Sequence, residues 1–223
     1  RLNETGKPTI VVIISGRPLS LRYAAEHVPA IINAWEPGQF GGQAIAELLY
    51  RKVNPSAKLA MTIPRSVGQI STWYNHKRSA FFHPVVCSDN TPLYPFGYGL
   101  SYTTFRYTNL KLSKSKIPND GKTPVTAYVT IENTGQRDGV EICQLYINDV
   151  VASVTRPVKE LKDFRRVALK AGEKKTIEFV ITPDKLAFYD MNMKPTVESG
   201  AFEVQVGSSS RDEDLQKVTF NIE

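Results

Sequence analysis

Four side chains with recognition chemistry sit at or just past the ends of short apolar runs: Arg17 after 9–14, Trp35 and Glu36 at the end of 30–35, and Arg65 after 58–63. In open parallel sheets, ligands bind beyond the carboxyl ends of the strands, so these four are expected to converge on one rim. A guanidinium and a carboxylate supply charge-assisted hydrogen bonds, and an indole supplies a flat apolar face. Together they could hold a sugar. The competing reading puts Arg17 and Arg65 in salt bridges and Trp35 in a core. Arg17, Trp35 and Glu36 are taken as the substrate-binding candidates.

Reaction chemistry is harder to place. Hydrolysis of a glycosidic bond needs two carboxylates flanking that bond. In the first seventy or so residues the acidic side chains are few (Glu4, Glu26, Glu36, Glu47), and Glu26 and Glu47 fall on helical patterns. Only Glu36 is positioned at the rim, so no catalytic residue is assigned. The histidines His27, His76 and His83 show neither HExxH nor a metal spacing. The glycines between Gly38 and Gly42 precede a helix but lack both GxGxxG and a following Lys-Ser/Thr, and no serine sits in a GxSxG elbow. Neither a metal nor a cofactor is expected. Cys87 and Cys143 form no CxxC. Cys143 alternates with Leu145 and Ile147 and reads as a buried free thiol. Cys87 reads as a loop residue, and one disulfide between the two stays open.

The elements that must position these residues follow from pattern. The chain has 223 residues, 28 Lys+Arg against 22 Asp+Glu and a net charge of +6, enough for one large domain or two modest ones. The positive excess is spread along the chain rather than gathered into a stripe with aromatic platforms, which argues against nucleic acid as a partner. No apolar run approaches the ~20 residues of a membrane helix. The β-branched run at 9–14 predicts a parallel strand buried on both faces. Runs at 30–35 and 58–63 predict two more, with helices over 19–27 and 43–52 between them. Residues 1–6 read as the end of a helix stopped at Gly6, as though the chain were cut from something longer. Three strands are too few to cover both faces of such a sheet. A missing packing partner is expected, and self-association is the outcome if it stays missing.

From Phe105 the period becomes two. Val125, Ala127, Val129 and Ile131 alternate with polar neighbours, and so do the residues around Leu145, Phe179, Val204 and Phe220. About seven short strands separated by turn signals predict an immunoglobulin-like sandwich. Between the halves, 66–104 is dense in aromatics with no period, as in a long functional or domain-bridging loop.

Several motifs together resemble one family. They are Ser15-Gly16-Arg17-Pro18-Leu19, Trp35-Glu36-Pro37-Gly38, Asn54-Pro55-Ser56-Ala57-Lys58-Leu59, Pro64-Arg65-Ser66-Val67-Gly68, and Tyr94-Pro95-Phe96-Gly97-Tyr98-Gly99-Leu100-Ser101-Tyr102. The chain is similar throughout to the C-terminal part of glycoside hydrolase family 3 enzymes, of the periplasmic β-glucosidase type. The resemblance implies α/β plus all-β architecture: a partial α/β sandwich over 1–70, an aromatic-rich linker over 71–104, and a fibronectin type III-like β-sandwich over 105–223. It implies a retaining β-glycosidase as the parent protein, acting on terminal β-glucosyl residues of oligosaccharides in the periplasm or outside the cell. Both carboxylates of that mechanism would lie upstream, in a barrel and an adjoining α/β region that become intramolecular partners, so the chain alone is expected to be inactive. Residues 77–89 depart from the family's pattern. The alternative is a free-standing carbohydrate- or protein-binding scaffold.

Overall fold

The computed structural model describes residues 3–69, 72–78 and 91–223. Strand β1 (Ile10–Ile14) runs parallel to β2 (Ala30–Trp35), with Ile10 opposite Ala30 and Ile14 opposite Trp35. The connection carries α1 (Arg22–His27), and α2 (Gly41–Leu49) follows β2 after the turn at Gly38.

Two expectations are corrected here. Residues 58–63 do not form a third parallel strand. Their backbone pairs instead with the tyrosine–glycine run: Leu59 N–H donates to Tyr98 C=O (2.8 Å), Gly97 N–H to Leu59 C=O (2.8 Å) and Ile63 N–H to Tyr94 C=O (2.9 Å). Only an isolated antiparallel bridge, Ile63 with Tyr94, results. Pro95 has no N–H to give, and Gly97 turns the run at φ 77°, so the ladder stops at once. Nor is β1 buried on both faces. Ile10, Val12 and Ile14 are 48%, 36% and 65% exposed, so one apolar side of the two-stranded sheet is open.

The second half is a two-sheet sandwich. One sheet is β3 (Phe105–Leu112), β5 (Val125–Asn133) and β8 (Lys174–Ile181), in the order β3-β5-β8. The other has the order β4-β12-β11-β6-β7, with β4 (Lys116–Ile117), β6 (Gly139–Asp149), β7 (Glu160–Leu169), β11 (Gly200–Gly207) and β12 (Leu215–Ile222). A short helix α3 (Pro183–Leu186) and the two-residue strands β9 (Phe188–Tyr189) and β10 (Pro195–Thr196) fill the connection from β8 to β11. The period-two residues meet between the sheets: Val129, Leu145, Phe179, Val204 and Phe220 are fully buried. Cys143 is among them with a free thiol, as its phase on β6 predicts. Cys87 lies outside the described residues.

Strand β6 is buried on its outer face too, because the tyrosine–glycine run lies across it. Gln144 Nε2 donates to Gly97 C=O (3.1 Å) and Ser208 C=O (2.7 Å), while Tyr146 O–H donates to Gln144 Oε1 (2.5 Å). On the inner face, at one end of the core, sits a buried carboxylate. Glu141 accepts from Tyr107 O–H (3.0 Å) and pairs with Lys58 Nζ at 3.1 Å. Lys58 belongs to the first half of the chain and also donates to Gly99 C=O (3.0 Å). Breaking a buried pair by removing one partner costs ~3–5 kcal/mol, because the other charge is stranded.

Two outcomes follow for thermal unfolding. Lys58→Met should lower stability by about 3–5 kcal/mol, far outside the ±0.5 kcal/mol of ordinary surface changes. A cost below about 1 kcal/mol would show the pair to be incidental. Burial raises the Glu141 carboxyl above its ordinary range despite Lys58 and Tyr107. A carboxyl whose folded pKa is raised favours the fold while protonated, and that contribution is lost as pH rises through the folded value. Glu141→Gln does not titrate, so its stability relative to the parent should improve over a pH window that opens near the unfolded value of about 4.5 and runs upward. A relative decline over that window would mean that Lys58 outweighs burial.

Candidate functional site

The rim at the carboxyl ends of β1 and β2 is built on a deformed strand end. Pairing with β1 skips Ala34, and Trp35 takes φ 51°, a left-handed conformation. Such a backbone costs a side-chain-bearing residue about 1–2 kcal/mol. The surrounding contacts enforce it: Ser15 N–H donates to Trp35 C=O (3.0 Å), locking the two strand ends together. The Ser15 hydroxyl then donates to Arg17 C=O (3.1 Å) and accepts from Arg17 N–H (3.3 Å), closing a tight turn. Glu36 lies against that turn, and a Cβ added at Gly16 would fall 2.7 Å from Glu36 Oε1.

Three of the four predicted rim residues are thus on adjoining segments. Trp35 is half-buried, while Arg17 and Glu36 are exposed. Neither the Arg17 guanidinium nor the Glu36 carboxylate makes an ion pair or hydrogen bond among the described residues, so the salt-bridge reading fails for Arg17. Arg65 is engaged by hydrogen bonds to Thr91. That side chain donates from Nε to Thr91 C=O and from Nη2 to Thr91 Oγ1, each at 2.9 Å, and its own C=O accepts from Ser20 Oγ (3.1 Å). Arg65 therefore holds the approach to the tyrosine–glycine run and lines the cleft beneath it rather than joining Arg17 and Glu36.

Sequence reasoning missed the residues that fix this rim against the sandwich. Asn54 donates from Nδ2 to Asp138 C=O (2.9 Å) and accepts at Oδ1 from Ser101 O–H and Tyr102 N–H, each at 2.8 Å. Tyr102 O–H donates to Leu48 C=O (2.7 Å), and the Arg51 and Arg137 guanidinium groups lie 5.3 and 5.9 Å from its ring centre. The signal was Asn54-Pro55, which enters the sequence reading only as part of a motif, with no partner assigned to its amide. Of the departing stretch, Lys77 bridges Pro157, and 79–89 lies outside the described residues. No group of three or more His, Cys, Asp or Glu suited to a metal occurs among the described residues, and none of their helices is long and apolar enough to cross a membrane.

A parallel strand–helix unit clamped to a two-sheet β-sandwich defines a class of modular α/β plus all-β proteins, and comparison with known proteins narrows it. Residues 1–102 match the glycosyl hydrolase family 3 C-terminal domain, and 141–210 match the fibronectin type III-like domain. A β-xylosidase of Formosa agariphila is 44% identical over 99% of the chain, and a periplasmic β-glucosidase of Salmonella typhimurium is 44% identical over 94%. Among solved structures, a β-glucosidase of Erythrobacter marinus superposes over 100% of the chain with a TM-score of 0.94 at 41% identity. The Listeria innocua β-glucosidase bound to glucose superposes over 99% with 0.92 at 37%. The chain belongs to glycosyl hydrolase family 3, as its C-terminal region. It spans 31% and 28% of the two enzymes first named, and 29% and 32% of the two structures.

The glycines of the rim separate rigid from yielding contacts. A Cβ at Gly16 meets the free end of Glu36, which can swing away, so Gly16→Ala should change stability by less than about 0.5 kcal/mol. A Cβ at Gly41 would meet the Pro37 ring at 2.5 Å, which cannot, so Gly41→Ala should cost about 1–3 kcal/mol. Chemical denaturation of both variants checks this, and equal effects would contradict the rim geometry.

Proposed function

We propose that this chain is the scaffold end of a retaining β-glycosidase, most specifically a β-glucosidase that removes terminal β-glucosyl residues from oligosaccharides. Both catalytic carboxylates are assigned to a preceding region, and Arg17, Trp35 and Glu36 to the substrate side of the shared active-site mouth. Residues 1–70 supply the later part of an α/β sandwich domain, 71–104 the linker, and 105–223 the fibronectin-like domain. The observation that carries the reading is the strained Trp35 held beside two uncompensated charges at the strand ends, in a chain whose relatives are β-glucosidases and β-xylosidases. Strain maintained by its surroundings is a mark of functional positions. The proposed location is periplasmic or extracellular, in keeping with the one relative named periplasmic.

An aryl β-glucoside assay tests this. The 223-residue chain should show no turnover. Joined to a family 3 barrel and the adjoining α/β region, it should support hydrolysis, and Trp35→Ala should then cost about tenfold or more in kcat/KM. Turnover by the isolated chain, or an unaffected Trp35→Ala enzyme, would contradict the assignment.

The open β1 face supports a second expectation. Ile10, Val12 and Ile14 present a contiguous apolar strip where the upstream part of the sandwich is proposed to pack. Without that cover the isolated chain should self-associate, since strips of this kind favour contact over hydration. Sedimentation should show concentration-dependent association that Ile14→Lys reduces. A strictly monomeric chain at high concentration would count against it.

A further inference from the structure

The described residues also enclose a cleft of about 820 Å³ between 72–78, 91–96 and the outer face of β11 and β12, within the roughly 300–1,000 Å³ of small-molecule sites. Its walls include Trp73, Asn148, Glu203, Gln205, Asp212 and Lys217. The two neighbouring aromatics at its mouth behave differently. Tyr74 is packing: it stacks on Phe96 with ring centres 4.4 Å apart, meets Tyr146 edge-on at 5.7 Å, and accepts from Leu161 N–H (3.3 Å). Trp73 has no ring partner or hydrogen bond among the described residues and is 68% exposed, leaving an indole face open on the cleft.

The floor holds an acceptor that the fold leaves unsatisfied. Gln205 is 2% exposed and donates from Nε2 to Glu203 Oε1 (2.6 Å), yet its Oε1 is buried without a donor. Buried polar groups are nearly always paired, so an orphan on the floor of a cleft points to a donor brought by a ligand. Of the five lysines and arginines on its wall, four are engaged, while Arg78 is exposed and makes no hydrogen bond or ion pair among the described residues. Lys159 Nζ and Lys217 Nζ both bind Asp212 Oδ1 (3.0 and 2.9 Å), Arg65 binds Thr91, and Arg211 binds Asp214. A cleft whose cations are paired except for Arg78, with amide and carboxylate acceptors and one free indole, suits a neutral polyhydroxylated ligand better than an anion.

We propose that this cleft binds a neutral oligosaccharide, with a sugar ring on Trp73 and hydroxyls on Gln205, Glu203 and Asn148. The inference does not rest on the rim, which holds Trp35 rather than Trp73. The chain has two tryptophans, so Trp35→Phe leaves Trp73 as the sole indole reporter. Cellotriose and xylotriose, with inorganic pyrophosphate as the anionic control, are titrated into the full 223-residue chain by calorimetry and tryptophan fluorescence. The expected result is saturable binding of at least one trisaccharide, an emission shift that survives Trp35→Phe, and affinity about tenfold weaker in Trp73→Ala at unchanged melting temperature. Gln205→Leu, which replaces the orphan with an apolar group of similar size, should weaken binding without lowering the melting temperature. The proposal is overturned by absence of trisaccharide binding, by binding of pyrophosphate alone, or by a response lost in Trp35→Phe and kept in Trp73→Ala, which would place the sugar at the rim.

Discussion

One ion pair joins what the two halves of this chain could not do separately. Lys58, contributed by the extended segment after α2, reaches the end of the sandwich core and meets Glu141, whose carboxylate is otherwise sealed between Tyr107 and the apolar residues of β6. Neither charge tolerates that position alone, since a carboxylate removed from water without a partner costs several kcal/mol. The sandwich is therefore most stable with the α/β portion seated on it. The rim at Arg17, Trp35 and Glu36 acquires a fixed place relative to β6 as a consequence.

The tyrosine–glycine run acts as a shared seam around that pair. It lends backbone groups in two directions: to Leu59 and Ile63 on one side, and to Gln144 and Ser210 on the other. Gly97 has to be glycine twice over, because its φ is 77° and a Cβ would lie 2.0 Å from Gln144 Oε1. Gly99 is closed off by Ala57 C=O at 2.5 Å. A run so constrained by close backbone approach carries a recognisable motif, and this explains why so aperiodic a stretch is specific in sequence.

Alternation made the sandwich legible, because a residue in phase on a half-buried strand has one destination. β1, β2 and their parallel pairing were legible for a similar reason, with β-branched runs separated by helical patterns. The error over 58–63 was one of periodicity without partners. An apolar run of six residues satisfies the pattern of a strand, but its hydrogen bonds go to a loop that no propensity describes. That same run contained an unread clue: a lysine inside it, and a glutamate in core phase on β6 between Gly139 and Cys143, are opposite charges at positions that only pairing can make tolerable. That Arg17, Trp35 and Glu36 lie on adjoining segments was legible, since neighbouring parallel strands end side by side. Arg65 was misplaced because its position depended on the strand that did not form. The left-handed Trp35 and the orphan oxygen of Gln205 arise from tertiary geometry and leave no local trace.

Lys58–Glu141 and the seam around it make the two halves one cooperative unit. Native-state hydrogen exchange tests it most directly, by comparing the Leu59, Ile63 and Gly97 amides of the seam with amides of β5 and β6. A single cooperative unit requires that all exchange through one opening event, with the same free energy and the same dependence on denaturant. Seam amides that exchange through a separate, low-energy opening while β5 and β6 stay protected would contradict it.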